Sequence, residues 1–231
     1  MPIEFLIFLA VFTPVLVGGL NLIFNKNPNV RDTVTLVGAL ITFYFSANIF
    51  LGFDGKATQY KLATIMPGID ISFHIEPLGI VFSLLASGLW ILTHIYAIGY
   101  MRGAKEKNHS RFFFFFSVSI ASVMGISFSG NLFTLFLFYE ILTLITFPLV
   151  SHKGSNEALR GARVYLSILL GTSIGLQLLG IIWIYFSVGT LDFVKGGILN
   201  GFFGSLELTL CLLYTSPSPR DRTRSRMPSS A

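Results

Sequence analysis

Residues 132–150 read LFTLFLFYEILTLITFPLV. The run carries one charge, Glu140, and nothing else that water would solvate strongly. About 20 predominantly apolar residues at 1.5 Å rise each are enough to cross the hydrocarbon core of a bilayer. Glu140 is the ninth of these nineteen residues, so it lies near the bilayer centre. An acid at that depth costs at least a few kcal/mol, and such residues face a protein interior and mark ion or proton paths. Burial favours the neutral carboxylic acid and a nearby cation favours the carboxylate, so a carboxyl between those influences is suited to passing a proton. The plainer reading is a structural acid paired with another helix or kept protonated. Thr143, one turn on, shares the face of Glu140 and is expected to hydrogen-bond it.

Outward from this run the pattern repeats. Five more stretches qualify as spans: Phe5–Phe24, Thr33–Phe53, Pro77–Met101, Phe112–Ser129 and Val164–Val188. The fold class is therefore all-α, a polytopic transmembrane helical bundle of about six helices. Composition agrees, with 53% hydrophobic and 12% charged residues, against about 25% charged in soluble chains. Pro14 in the first run is a kink that a packed membrane helix tolerates. Ser129-Gly130-Asn131 makes a tight turn, with Asn131 placed to cap the next helix. Met1 is followed by an apolar run with no basic leader or cleavage site, so the first segment reads as a retained helix.

Between the second and third runs, Ile69, Ile71, Phe73 and Ile75 alternate with Asp70, Ser72, His74 and Glu76, the period of a half-buried strand. Pro67-Gly68 reads as a turn, which predicts a β-hairpin with Tyr60–Met66 at the water side of the membrane. Nine Lys/Arg residues (Lys26, Arg31, Arg102, Lys105, Lys107, Arg111, Lys153, Arg160, Arg163) fall on the opposite side, against Lys56, Lys61 and Lys195 on the hairpin side. The positive-inside bias then places the N-terminus and the hairpin outside the cytoplasm.

The segment 211–231, CLLYTSPSPRDRTRSRMPSSA, breaks this composition. Cys211 to Ser216 can be encoded TGT CTC TTA TAC ACA TCT, and Pro217 to Asp221 CCG AGC CCA CGA GAC. Both match constant segments of a sequencing-library adapter. Ser225 to Ala231 continue a further constant segment in the same frame, beyond a short barcode. The expected organisation is residues 1–210 as the N-terminal part of a truncated membrane domain and residues 211–231 as an artefactual tail, with Gly196–Leu210 approaching a further helix. Without the tail, twelve Lys/Arg face ten Asp/Glu, so the formal charge of +5 gives no case for nucleic acid, and the single cysteine says nothing of redox compartment.

Other polar residues are weighed against plainer roles. His94, about two turns from the end of the third run, has the chemistry of a proton relay, but a histidine there more often bonds a neighbouring carbonyl. His74 is expected to be solvated, and His109 and His152 to sit in basic loops. Gln177 lies beside Ser167, Gly171 and Gly175, a small-residue face suited to helix packing. No histidine pair has metal-ligand spacing, and no phosphate loop, dinucleotide fingerprint or serine elbow is present, so neither metal nor cofactor is expected.

The stretch 77–193 resembles a known family, the antiporter-like membrane subunits of respiratory complex I and of multisubunit cation/proton antiporters. The matching pieces are Glu76-Pro77-Leu78-Gly79, Ser87-Gly88-Leu89-Trp90, and Tyr96-Ala97-Ile98-Gly99-Tyr100-Met101-Arg102-Gly103. They continue with Gly130-Asn131-Leu132 through Tyr139-Glu140, and with Tyr165 to Gly189-Thr190-Leu191-Asp192-Phe193. Phe138-Tyr139-Glu140-Ile141-Leu142-Thr143 followed by His152-Lys153-Gly154 most resembles the D-type subunits of the Mrp sodium/proton antiporters. The resemblance implies a proton- or monovalent-cation-translocating subunit in a bacterial inner membrane, without cofactor, working among other subunits, with protons and sodium as the ions. Glu140 matches the family's fifth-helix glutamate, whose lysine partner would lie beyond Leu210. The alternative is a proton-pumping membrane subunit of an NADH–quinone oxidoreductase or membrane hydrogenase, a translocase rather than a simple transporter. A third possibility is an assembly subunit in which Glu140 is structural.

Overall fold

The computed structural model describes residues 3–55, 59–66, 68–104, 108–194 and 197–199. The helices are α1 (Ile3–Ile23), α2 (Pro28–Gly52), α3 (Pro77–Gly103), α4 (His109–Ser127), α5 (Leu132–Val150), α6 (Asn156–Thr172) and α7 (Leu179–Val188). A single 3-10 turn, Phe24–Lys26, follows α1, and a π-helical turn, Ser173–Leu178, joins α6 to α7. The last two helices and that turn form one continuous span of 33 residues, so among the described residues six helical segments are long and apolar enough to cross a membrane. The contacts divide the chain after Phe193. Of the segment 194–231, only Val194 and residues 197–199 are described, with the Gly197 N–H donating to the Val194 carbonyl. The expected tail and the expected approach to a further helix lie outside the described residues, as do Lys56, Pro67, Lys105, Lys107 and Lys195.

Local chemistry sets the helix starts. Pro28 and Pro77 occupy the first turns of α2 and α3, where a missing N–H leaves no helical bond unmade. Asn131 caps α5 as expected: its side-chain oxygen accepts from the Thr134 N–H at 2.7 Å. Ser155 does the same for α6, accepting from the Ala158 N–H. Gly189, at φ +81°, closes α7 in the left-handed conformation that favours glycine.

The interior is built in two levels. Near the hairpin, Leu6, Ile7, Ala10 and Val11 of α1 pack with Ile49, Ile80, Met124 and Phe128, and Phe73 and Ile75 of the hairpin segment close that end. Further along, Val17, Ala39 and Trp90 form a second group. Leu51 is 79% exposed, Leu78 80% and Phe186 81%. Exposed apolar side chains in such number suit lipid or neighbouring helices, and with the apolar spans they mark the chain as a multi-pass membrane protein.

The two strands are β1 (Gln59–Met66) and β2 (Ile69–His74), paired antiparallel, with Gly68 at φ +82° in the turn. The hairpin falls where the alternation predicts it, but its polar side is not solvated. Ser72 is fully buried, because its carbonyl accepts from the Gly130 N–H and its own N–H donates to the Thr134 hydroxyl. The Asn131 amide donates to the Asp70 carbonyl at 2.7 Å and the Ser72 hydroxyl at 2.9 Å. His74, expected to be solvated, is half-buried and lies 3.4 Å from the Glu76 carboxylate. Alternation alone misses this because β2 packs with its backbone edge on the α4–α5 turn.

Candidate functional site around Glu140

Glu140 projects from the middle of α5, whose buried positions are Thr134 and Thr143. Its Oε1 is fully shielded and has no hydrogen-bond partner among the described residues. A carboxylate oxygen in that state is a costly thing to bury. Thr143 does not meet the expectation of a bond to Glu140: its hydroxyl donates instead to the Tyr139 carbonyl at 3.0 Å. In a membrane helix the nearest acceptor for a threonine is its own helix four residues back, and that local bond wins. Only a small share of α5 and of the α6–α7 span is covered, 11% of each hydrophobic window against 44% in α1. Glu140 itself is half-buried, as is most of α5.

Gln177 lies within the π-helical turn Ser173–Leu178, which packs against α5. The Leu132 N–H donates to the Leu191 carbonyl, so the chain leaving the end of α7 lies beside the beginning of α5. Such π turns in α-helices occur frequently at functional sites. The small residues around Gln177 gave no sign of the irregularity, since glycines every four residues are equally consistent with a regular helix.

The second polar centre lies at the other end of α2 and was not visible in the sequence. Arg31 and Asp32 are 3% and 5% exposed. Asp32 Oδ1 accepts from Arg31 Nε and Nη2, and Oδ2 accepts from Arg102 Nε and Nη2. Arg31 also donates to the Ser110 hydroxyl, which in turn donates to Asn25. Its guanidinium stands 5.2 Å over the Phe113 ring. Arg31 thus belongs to the interior rather than to the surface charge that sets orientation. The available signal was the Arg31-Asp32 pair itself, opposite charges inside one turn at the start of an apolar run.

His94 is fully buried in α3 and its Nε2 lies 3.1 Å from the Asp32 carbonyl, with its ring edge-on to Phe113 at 4.9 Å. The plainer reading, a bond to a neighbouring carbonyl, describes this geometry. The structure places His94 beside Asp32 in the α2–α3–α4 interior, whereas Glu140 and Thr143 lie on α5. The three sequence-selected residues do not form one site. A cavity of about 380 Å³ opens between the hairpin end of α3 and that of α4, lined by His74, Glu76, Gly79 and Ser127 among others. No residue of α5 lines it. Among the described residues, no group of three His, Cys, Asp or Glu could hold a metal ion.

Comparison with known proteins bears on all of this. The family model for "NADH-Ubiquinone oxidoreductase (complex I), chain 5 N-terminus" matches residues 66–113, and that for "NADH:quinone oxidoreductase/Mrp antiporter, TM" matches residues 129–215. The second match includes Glu140 and Gln177, and runs five residues past Leu210. A chain assigned as antiporter subunit mnhD2 in Staphylococcus epidermidis is 33% identical over 192 residues, covering 81% of this chain and 37% of that one. The Na(+)/H(+) antiporter subunit A1 of Staphylococcus aureus is 29% identical over 160 residues, covering 68% of this chain and 19% of its own length. The chain thus spans well under half the length of these relatives. The Mrp complex from Dietzia sp. DQ12-45-1b shares the fold, with a TM-score of 0.66 at 18% identity, over 84% of this chain and 21% of that one. The chain belongs to the antiporter-like family of membrane subunits common to NADH:quinone oxidoreductases and Mrp cation/proton antiporters.

Proposed function

We propose that the chain is the N-terminal part of a proton- or monovalent-cation-translocating subunit of a Mrp-type antiporter, seated in a bacterial inner membrane with its N-terminus outside the cytoplasm. Glu140 is the proton-carrying group. The observation that carries this reading is the shielded, unpartnered Oε1 of Glu140 in mid-span. A carboxyl so placed can accept a proton without first breaking a bond to a neighbour. The exposed apolar side chains Leu144 of α5 and Leu176, Leu179 and Phe186 of the α6–α7 span are where further helices of a longer subunit would pack and supply the counter-charge. Relatives named as antiporter subunits support partners of the same kind, with sodium and protons as the exchanged ions. His94 stands apart from Glu140 and would act on the side of the Asp32 cluster, while Thr143 shapes the helix rather than the carboxyl. Residues 211–231 are adapter-derived and have no part in the activity.

The test is sodium-driven proton movement in membrane vesicles carrying the assembled complex. Glu140→Gln keeps the size of the side chain and cannot take up a proton as a carboxylate does. Loss of exchange at normal assembly supports the reading, and wild-type exchange at normal assembly overturns it. The membrane-domain description shared with NADH:quinone oxidoreductase supports a second reading, a redox-driven pump. Proton movement that needs NADH as electron donor with a quinone acceptor, and ignores sodium, would favour it.

A further inference from the structure

We infer that the cleft between the start of α2 and the end of α3 binds the phosphate headgroup of an anionic phospholipid, with Arg102 as its main contact. Asn29, Asp32, Thr33, Leu36, Ile98 and Arg102 line one cavity of about 250 Å³, so they face a single space.

The charges around this cavity do not cancel. Arg31 and Arg102 share Asp32, which leaves one positive charge in excess. Asp32 is the only acid among the described residues that line the cavity. Each of its oxygens is already held by a guanidinium, so its own charge opposes an incoming anion only weakly. Arg102 commits Nε and Nη2 to Asp32 and Asn29, and Nη1 carries two further N–H groups. The Asn29 Oδ1 accepts from Arg102, so the Asn29 Nδ2 is left to donate elsewhere. Thr33 adds an exposed hydroxyl, and Lys26, in the turn before α2, is exposed as well. A guanidinium fork beside amide and hydroxyl donors suits the several oxygens of a phosphate.

Depth distinguishes a lipid from a soluble anion. Asn29 and Arg102 lie at the ends of two membrane spans, Pro28–Gly52 and Pro77–Gly103. Leu36 is one turn beyond Asp32 and Ile98 one turn before Arg102, so both lie one turn deeper in the membrane. The cavity thus has a charged rim at the water boundary and an apolar floor below it. Val37 and Leu40 of α2 are exposed beyond that floor and offer acyl chains an apolar wall. Tyr96 and Tyr100 of α3 stack on each other at 72% and 57% exposure, and tyrosines so placed sit at headgroup level. A free phosphate or an acidic side chain would use the rim alone, whereas a phospholipid uses rim and floor together. Basic pockets between membrane helices hold anionic headgroups in this way.

Cryo-electron microscopy of the assembled complex in nanodiscs of phosphatidylglycerol and phosphatidylcholine tests the site directly. A phosphate should appear within about 3.5 Å of the Arg102 guanidinium, with chain density along Leu36 and Ile98. A neighbouring subunit's side chain in the cleft would overturn the proposal, as would an empty cleft in a map that shows lipids elsewhere. A second readout is melting of the detergent-purified complex with phosphatidylglycerol, phosphatidylcholine or inorganic phosphate added. Phosphatidylglycerol should raise the melting temperature more than phosphatidylcholine does, and Arg102→Gln should reduce that excess. An arginine with a structural role alone would lower melting equally in both lipids, and an excess unchanged in Arg102→Gln would refute the site. A rise with inorganic phosphate as large as that with phosphatidylglycerol would assign the cleft to a free anion and overturn the lipid reading.

Discussion

Arg102 reaches Asp32 from seventy residues away, its Nε at 3.1 Å and its Nη2 at 2.5 Å from the same carboxylate oxygen. Arg31 holds the other oxygen, so all of the acid's charge is spent on two guanidinium groups. The two arginines are unequal partners. Arg31 is buried, whereas the Arg102 side chain is 46% exposed.

Asp32→Asn should therefore be the most destabilising charge change at this end of the bundle. It leaves Arg31 as an uncompensated buried cation, a loss of about 3–5 kcal/mol. Arg102→Gln should cost roughly 1 kcal/mol or less, because its side chain is nearly half exposed and Arg31 still compensates Asp32. Thermal unfolding of the complex in detergent would rank the two. Equal losses would mean that the exposure of Arg102 does not govern its contribution.

At the other polar centre, Glu140→Asp should retain part of the transport that Glu140→Gln loses. The shorter side chain keeps the titrating group but withdraws it by one methylene, and proton transfer depends on being within hydrogen-bond reach. Thr143→Val should leave transport within a few-fold of wild type, since the Thr143 hydroxyl serves the Tyr139 carbonyl and not Glu140. Transport normalised to assembled complex decides both. A Thr143→Val defect as severe as Glu140→Gln would refute the assignment of that hydroxyl.

The hairpin carries a pH dependence of its own. The Lys61 ammonium donates to Asp70 diagonally across the strands. That bond holds the Asp70 carboxyl below its ordinary value of 3.8, and the same bond with the Asp70 charge raises Lys61 above 10.5. A lowered acid contributes stability above its unfolded value and loses it as pH falls through the folded one. A raised lysine contributes below its unfolded value and loses it as pH rises through the folded one. Amide exchange protection in the hairpin, corrected for intrinsic rates, should be flat between those limits and fall at both extremes. A loss of protection centred near neutrality would contradict this.

Close helix approach supplies a fourth test. A Cβ on Gly79 would fall 2.1 Å from the Ser127 carbonyl oxygen, a backbone atom that cannot swing aside. Gly79→Ala should cost about 1–3 kcal/mol as α3 and α4 are forced apart. Gly99, in the same helix, has nothing within 4 Å of an added Cβ. Gly99→Ala should be neutral or stabilising by up to about 1 kcal/mol. Matching melting shifts in the two variants would refute the packing argument.

For residues 211–231, reads of the source DNA trimmed of adapter should replace CLLYTSPSPRDRTRSRMPSSA with an apolar continuation. Its recovery unchanged from an adapter-free library would show the segment to be encoded.

The spans were legible because each apolar run states its own length, and the hairpin because period-2 alternation between Gly-bearing turns has few other meanings. Glu140 was legible as one charge in a run with no other. The Asp32 cluster was not. Arg31 and Arg102 look like ordinary loop-flanking cations, and only the crossing of α2 and α3 reveals that one acid holds both. The burial of Ser72 was hidden for a similar reason, since its partners Gly130 and Thr134 are about sixty residues away. The bond that Thr143 makes with Tyr139 shows the opposite error, where a contact within the helix outcompeted the expected side-chain bond to Glu140.

The knot at Gly130 has a mechanical meaning. Its N–H binds the Ser72 carbonyl and its own carbonyl accepts from Phe193, while the neighbouring Leu132 N–H is held by Leu191. The hairpin, the start of α5 and the strand of chain after α7 are thereby riveted at one end. At the far end of α5, Pro148 has no N–H to donate to the Leu144 carbonyl, so the last turn is softer. Any rocking of α5 that carries Glu140 must pivot at the riveted end. Were α5 to rock, it would be a lever with its fulcrum at Gly130 and its load, one carboxyl, partway along the arm.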